Sequence, residues 1–159
     1  MTRLVEAIGF SCVQSAADTF TSKKILTHTG GKDKTALLIK RVLMRMNPSV
    51  QTNYNFGQDI GVICNLSRGA SAPSAKRTID DNSTIVDFTI SINAIQNGAI
   101  LPCEFEWIAP SGLIVTDESL HISVWSFATS VANDVYGKIW YTRQIISDLE
   151  FLKLSAGKR

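Results

Sequence analysis

The sequence predicts an all-β fold: an antiparallel sandwich, in form a single jelly roll of seven or eight strands, with a short C-terminal helix and an N-terminal arm or helix. Three observations lead there. Apolar and polar residues alternate with a period of two in several short segments, clusters of turn formers recur roughly every 8 to 12 residues, and no long helical pattern separates the segments.

Along the chain, the first 22 residues show neither period clearly and read as an arm or helix that makes contacts, with residues 23–159 forming the sandwich. Leu4, Val5, Ile8 and Phe10 give this segment an apolar character better buried on a neighbouring subunit. Lys24 to Thr29 is a possible extra strand ahead of Gly30-Gly31. Ala36 to Met46 reads as a strand in preference to a helix, although Leu37, Leu38, Val42 and Met46 also trace a helical stripe. Pro48 closes the segment on either reading.

Ile60 to Leu66 alternates, and Ile85 to Asn93 does so most cleanly, with Val86, Phe88, Ile90 and Ile92 facing one way and Asp87, Thr89, Ser91 and Asn93 the other. Asn97-Gly98 is the best tight-hairpin signal, since both residues tolerate positive φ. Ala99 to Ile108 and Leu113 to Thr116 are two weaker strands, separated by a turn at Pro110-Ser-Gly112. Leu120 to Trp125 and Val135 to Thr142 alternate clearly. Ser147-Asp-Leu-Glu150 has the form of a capping box and opens a short helix through about Leu154.

At 159 residues and 45% hydrophobic, the chain suits one domain with an adequate core. No stretch approaches the roughly 20 apolar residues of a membrane-spanning helix, so no membrane partner is expected. Glu6 interrupts any apolar stretch of a signal peptide. Cys12, Cys64 and Cys103 are odd in number, widely spaced and set among apolar neighbours, which suits buried thiols made in a reducing, intracellular compartment.

The chemistry of an enzyme is missing. Only two histidines exist, His28 in a polar turn-like stretch and His121 on the polar side of its strand, and both read as solvated surface residues. No phosphate-cradling glycine loop, nucleophile elbow or metal-ligand spacing occurs, so neither a cofactor nor a metal is expected. Glu104 and Glu106 share one face of a strand and could in principle work as acid and base. The plainer reading makes them the solvent side of a strand that buries Cys103, Phe105 and Trp107.

Charge is unevenly distributed. Residues 1–80 hold eleven Lys and Arg against five Asp and Glu, whereas residues 81–159 hold five against nine. Lys40, Arg41, Arg45, Lys76 and Arg77 are candidates for a basic face that meets nucleic acid, or else charges that keep edge strands soluble. Arg41 and Arg45, being odd-numbered, should share a face with Leu37, Ile39 and Leu43. An isoelectric point of about 8.5 makes any such contact non-specific and salt-sensitive.

The order of features from Ala36 onward resembles the single jelly-roll coat proteins of small non-enveloped icosahedral viruses. The resemblance rests on the basic strand Leu37-Leu-Ile-Lys-Arg-Val-Leu-Met-Arg45, the run from Gly112 to Trp125 and the closing strand from Val135 to Arg143. It covers about two-thirds of the chain as a pattern. It implies a capsid protein that self-assembles in many copies, is made in host cytoplasm and resides in the virion. One departure is that residues 1–22 hold a single basic residue, Arg3, where many coat proteins carry an Arg-rich arm. The competing expectation is an oligomeric jelly-roll module that binds carbohydrate or a protein receptor through Trp125, Tyr136 and Trp140.

Overall fold

The structure is a computed structural model, described for residues 4–27, 29, 35–46, 59–69, 71–75, 82–93, 104–127 and 132–156. Among these are eight strands and a helix: β1 (Glu6–Val13), β2 (Thr21–Leu26), β3 (Thr35–Met46), β4 (Asp59–Arg68), β5 (Thr84–Asn93), β6 (Glu104–Val115), β7 (Ser119–Phe127), β8 (Asp134–Ile145) and α1 (Asp148–Ala156). They form two four-stranded sheets, sheet I in the order β1-β8-β3-β6 and sheet II in the order β2-β7-β4-β5, with every pairing antiparallel. Only the β4-β5 connection stays within a sheet. The others cross between sheets, which is the winding of a jelly roll.

Ala36 to Met46 is a strand, because its apolar residues face both the opposite sheet and the neighbouring strands β8 and β6. Its alternation carries a break. Leu37 and Ile39 point into the core, but beyond Lys40 the inward residues are Val42, Met44 and Met46. The cause is a bulge: Ile39 pairs with Tyr141 and Arg41 with Trp140, leaving Lys40 without an opposite residue on β8. The expected odd-numbered face therefore does not exist. Arg41 and Arg45 share the outer face with Leu43, while Leu37 and Ile39 are buried.

The same point on β3 explains β6. Two strands with a turn at Pro110-Ser-Gly112 were expected, and a single strand runs from Glu104 to Val115 instead. Ile39 pairs with Leu113 and Arg41 with Ile108, so residues 109–112 bulge opposite Lys40. Gly112 takes a φ of 77°, and Pro110, which has no N–H for the ladder, sits where none is needed.

The N-terminal segment also differs from the expected arm. Glu6–Val13 is an edge strand of sheet I paired with β8, so Phe10 and Cys12 lie in the core and Ile8 packs against it. The core joins the inner faces of both sheets, with Val42, Cys64, Leu66, Leu120, Ile122 and Ile139 fully buried. Cys12 and Cys64 are buried thiols outside any disulfide, and burial pushes the Cys12 thiol above its ordinary value. The helix follows the capping-box expectation: Ser147 Oγ accepts the Glu150 N–H at 3.3 Å. Cys103, His28, Asn97 and Gly98 lie outside the described residues.

Candidate assembly and binding surfaces

Sheet I presents an outer face of crossed rows. Trp140, Arg41 and Ile108 are neighbours across β8, β3 and β6; Lys138, Leu43 and Glu106 form the next row; Tyr136, Arg45 and Glu104 the third. On β1 the matching positions are small, Ala7, Gly9 and Ser11. Arg41 is ion-paired to Glu106 and Arg45 to Glu104, each diagonal or direct neighbour supplying the opposite charge. The hydrogen bond and charge of Glu104 raise the Arg45 pKa. Arg41 also lies over the Trp140 ring, 4.5 Å from its centre, with the Lys138 ammonium 5.8 Å away.

These contacts locate the sequence-predicted basic residues. Arg41 and Arg45 are on the surface but engaged with acids. Lys40 is half-buried, its amino group lying against the bulge at Gly112. Lys76 and Arg77 lie outside the described residues. Glu104 and Glu106 are exposed, as the plainer reading required, and their partners are arginines.

The aromatic candidates separate. Tyr136 and Trp140 stand on the outer face of sheet I, whereas Trp125 belongs to sheet II and packs against Phe127 at 5.5 Å between ring centres. They do not make one ligand surface. Phe127 in turn lies over Gly61, where any side chain would overlap its ring.

Over β4 and the first half of β7 the outer face of sheet II is buried, although much of it is polar. Asn65, Ser67, His121 and Ser123 are each at most 5% exposed, and Ser123 Oγ donates to Ser22 Oγ at 3.0 Å. His121 was expected in solvent; instead it is 1% exposed, with Nε2 3.1 Å from the Gly69 carbonyl. Alternation assigns a side chain to a face but does not say whether that face meets water. A usable signal was present: the outward positions 61, 63, 65 and 67 of β4 and 119, 121 and 123 of β7 carry no Lys, Arg, Asp or Glu.

Large apolar side chains outside the core occur at the chain's two ends and also on strands between them, at Val13, Leu26 and Ile108. Leu4 is 81% exposed and Val5 58%, while Ile145 is 81% and Leu149 and Leu152 are each 64%. Leu4 and Val5 were anticipated; the C-terminal three were not, although the i, i+3 spacing of Leu149 and Leu152 could have marked them. A cleft of about 590 Å³ opens between the β1 stretch 8–11 and the β2 stretch 23–26. Lys23 and Lys24 border it. Among the described residues no cluster of metal-ligating side chains occurs.

No protein-family model matches this sequence, and no curated protein matches it. Among solved structures the chain is similar to VP1 of Trichodysplasia spinulosa-associated polyomavirus, solved in complex with 3'-sialyllactose. The TM-score is 0.53 at 6% identity, with 87% of this chain and 94% of that chain covered. What the two share is the fold, a jelly-roll sandwich wound over nearly the whole length of each chain.

Proposed function

We propose that this chain is a capsid-type shell subunit that assembles with copies of itself into a virion. The observation that carries the reading is the combination of a complete jelly-roll winding with apolar side chains left outside its core at both ends, Leu4 and Val5 before β1 and Ile145, Leu149 and Leu152 at and after the end of β8. A rigid wedge with unburied apolar termini gains free energy by covering them on symmetry-related copies. The fold neighbour's VP1 identity agrees with this reading, while fold alone leaves function open. Negative-stain electron microscopy of the purified chain across concentration and salt tests it: closed particles or capsomer-like rings are expected, and uniform monomers under every condition would overturn it.

Contact with nucleic acid belongs to the same proposal in a weak, non-specific form, because Arg41 and Arg45 reach phosphate only by leaving Glu106 and Glu104. Glycan recognition is a second reading, favoured by the sialyllactose bound to the fold neighbour. Arg41 already covers one face of Trp140, which leaves Tyr136, 40% exposed, as the better stacking surface on sheet I. A glycan array probed with the wild-type chain and Tyr136→Ala separates the readings.

A further inference from the structure

The two open sides of the sandwich are closed unequally. Between β5 and β6 the gap between the sheets is filled by Phe88 stacked on Phe105, ring centres 4.9 Å apart. Between β1 and β2, the edge strands of sheets I and II, the gap stays open as the 590 Å³ cleft. Ile8, Phe10 and Ile25 give it an apolar floor, and Lys23 and Lys24, both exposed, give it a basic rim. Among the described residues neither lysine has an ion-pair partner.

The chain carries a complementary element elsewhere. Helix α1 holds Asp148 and Glu150 in its first turn, and Leu149 and Leu152 lie one turn apart, both largely exposed. Nine residues make a helix too short to be stable alone, and α1 packs little against the strands. Its length of about 13 Å matches the roughly 13 Å spanned by four strand residues along the cleft.

We propose that α1 of a second copy docks into the β1/β2 cleft, Leu149 and Leu152 covering the apolar floor and the acidic first turn facing Lys23 and Lys24. This inference rests on the shell reading and names its contact. A cleft in one place meeting a helix in another is a heterologous interface, and its repetition around an axis closes a ring or shell.

Charge reversal and cross-linking test it on the full chain. Lys23→Glu with Lys24→Glu, or Asp148→Lys with Glu150→Lys, should raise the concentration for half-assembly at low salt by about tenfold, and combining all four should restore it. In a Cys103→Ser background, Lys24→Cys and Leu152→Cys proteins made separately should form a mixed disulfide only when combined and oxidised. That link reports contact directly and not through reversed charges, so it decides the matter if the fourfold variant fails to recover. Particles that form with unchanged midpoints in every variant and no mixed disulfide would overturn the docking while leaving the shell reading intact. A wild-type chain that stays monomeric at every concentration would overturn both.

Discussion

Glu6 shows how one side chain ties down an edge strand. Its carboxylate accepts from the Tyr141 hydroxyl at 3.1 Å and pairs with Arg143 at 3.2 Å, joining β1 to β8 beyond the backbone ladder. Burial pushes the Tyr141 phenol above its ordinary value, and the Glu6 carboxylate pushes the same way, partly offset by Arg143. The folded chain therefore keeps this proton at a pH where the unfolded chain has lost it. The resulting stabilisation is complete below about pH 10 and falls as pH rises through the folded value. Urea midpoints measured from about pH 8 to 11 should decline less steeply for Tyr141→Phe than for wild type; identical slopes would show that this phenol does not contribute. Gln14 plays a comparable role at the far end of β1. It is 3% exposed, donates to the Thr19 carbonyl at 2.6 Å and accepts from the Asn133 backbone at 2.7 Å, binding the turn after β1 to the start of β8. Little in the local sequence marks it, since two of its partners, Ser126 and Asn133, lie more than a hundred residues away.

At the scale of elements, the bulge at Lys40 decides which side chains of β3 face the core. Without Lys40 the remaining residues alternate cleanly, Leu37, Ile39, Val42 and Met44 inward and Leu38, Arg41 and Leu43 outward, and Ile39 and Arg41 still meet Tyr141 and Trp140 in succession. Deleting Lys40 should accordingly leave a cooperatively folded chain. Inserting one alanine after Val42 should instead turn Met44 and Met46 outward and carry Arg45 into the core, a cost of more than about 4 kcal/mol. Circular dichroism and denaturant melts of the two variants check this, and equal damage from both would mean that Lys40 is not the accommodating residue. Gly137 is a second device in the same sheet. It faces inward beside Phe10 and the Leu43 carbonyl, and a side chain there would overlap both, so close approach of β3 and the Phe10 ring requires glycine.

Over the described strands, charge on the outer face of sheet I is arranged largely as ion pairs, whereas in sheet II the outward positions 61 to 67 of β4 and 119 to 123 of β7 carry none, and Lys24 and Asp87 stand on the strands beside them. The excess of basic residues in the first half does not become a free cationic face, because β3 from that half lies beside β6 from the acidic half, setting Arg41 and Arg45 against Glu106 and Glu104. Exposed pairs of this kind add little stability, but they set a cost for binding phosphate. If nucleic acid meets this face, Glu104→Gln with Glu106→Gln should free both arginines and steepen the slope of log affinity against log salt by about 1.4 to 1.8. Single-strand binding followed by fluorescence anisotropy would show it, and an unchanged slope would place nucleic-acid contact elsewhere.

The sequence by itself determined the sandwich, the short capped helix and the strands at β4, β5, β7 and β8, because these depend on near neighbours: period-two alternation, turn residues and a serine three positions before a glutamate. It also placed Tyr136 and Trp140 on the face of β8 away from the core. Tertiary structure alone decided what those residues do there. The strand from residues 6 to 13 was hidden because its outward positions Ala7, Gly9 and Ser11 are small and uncharged, which blurs the alternation with Ile8, Phe10 and Cys12, and its partner β8 lies at the other end of the chain. The bulge that reverses the phase of β3 arises from registers with β8 and β6, which no single segment encodes. His121 is buried because the outer face of sheet II is covered, and alternation carries no information about covering. The cleft between β1 and β2 exists because two edge strands from different sheets happen to lie side by side, a consequence of how the sheets stack and of nothing local in either strand.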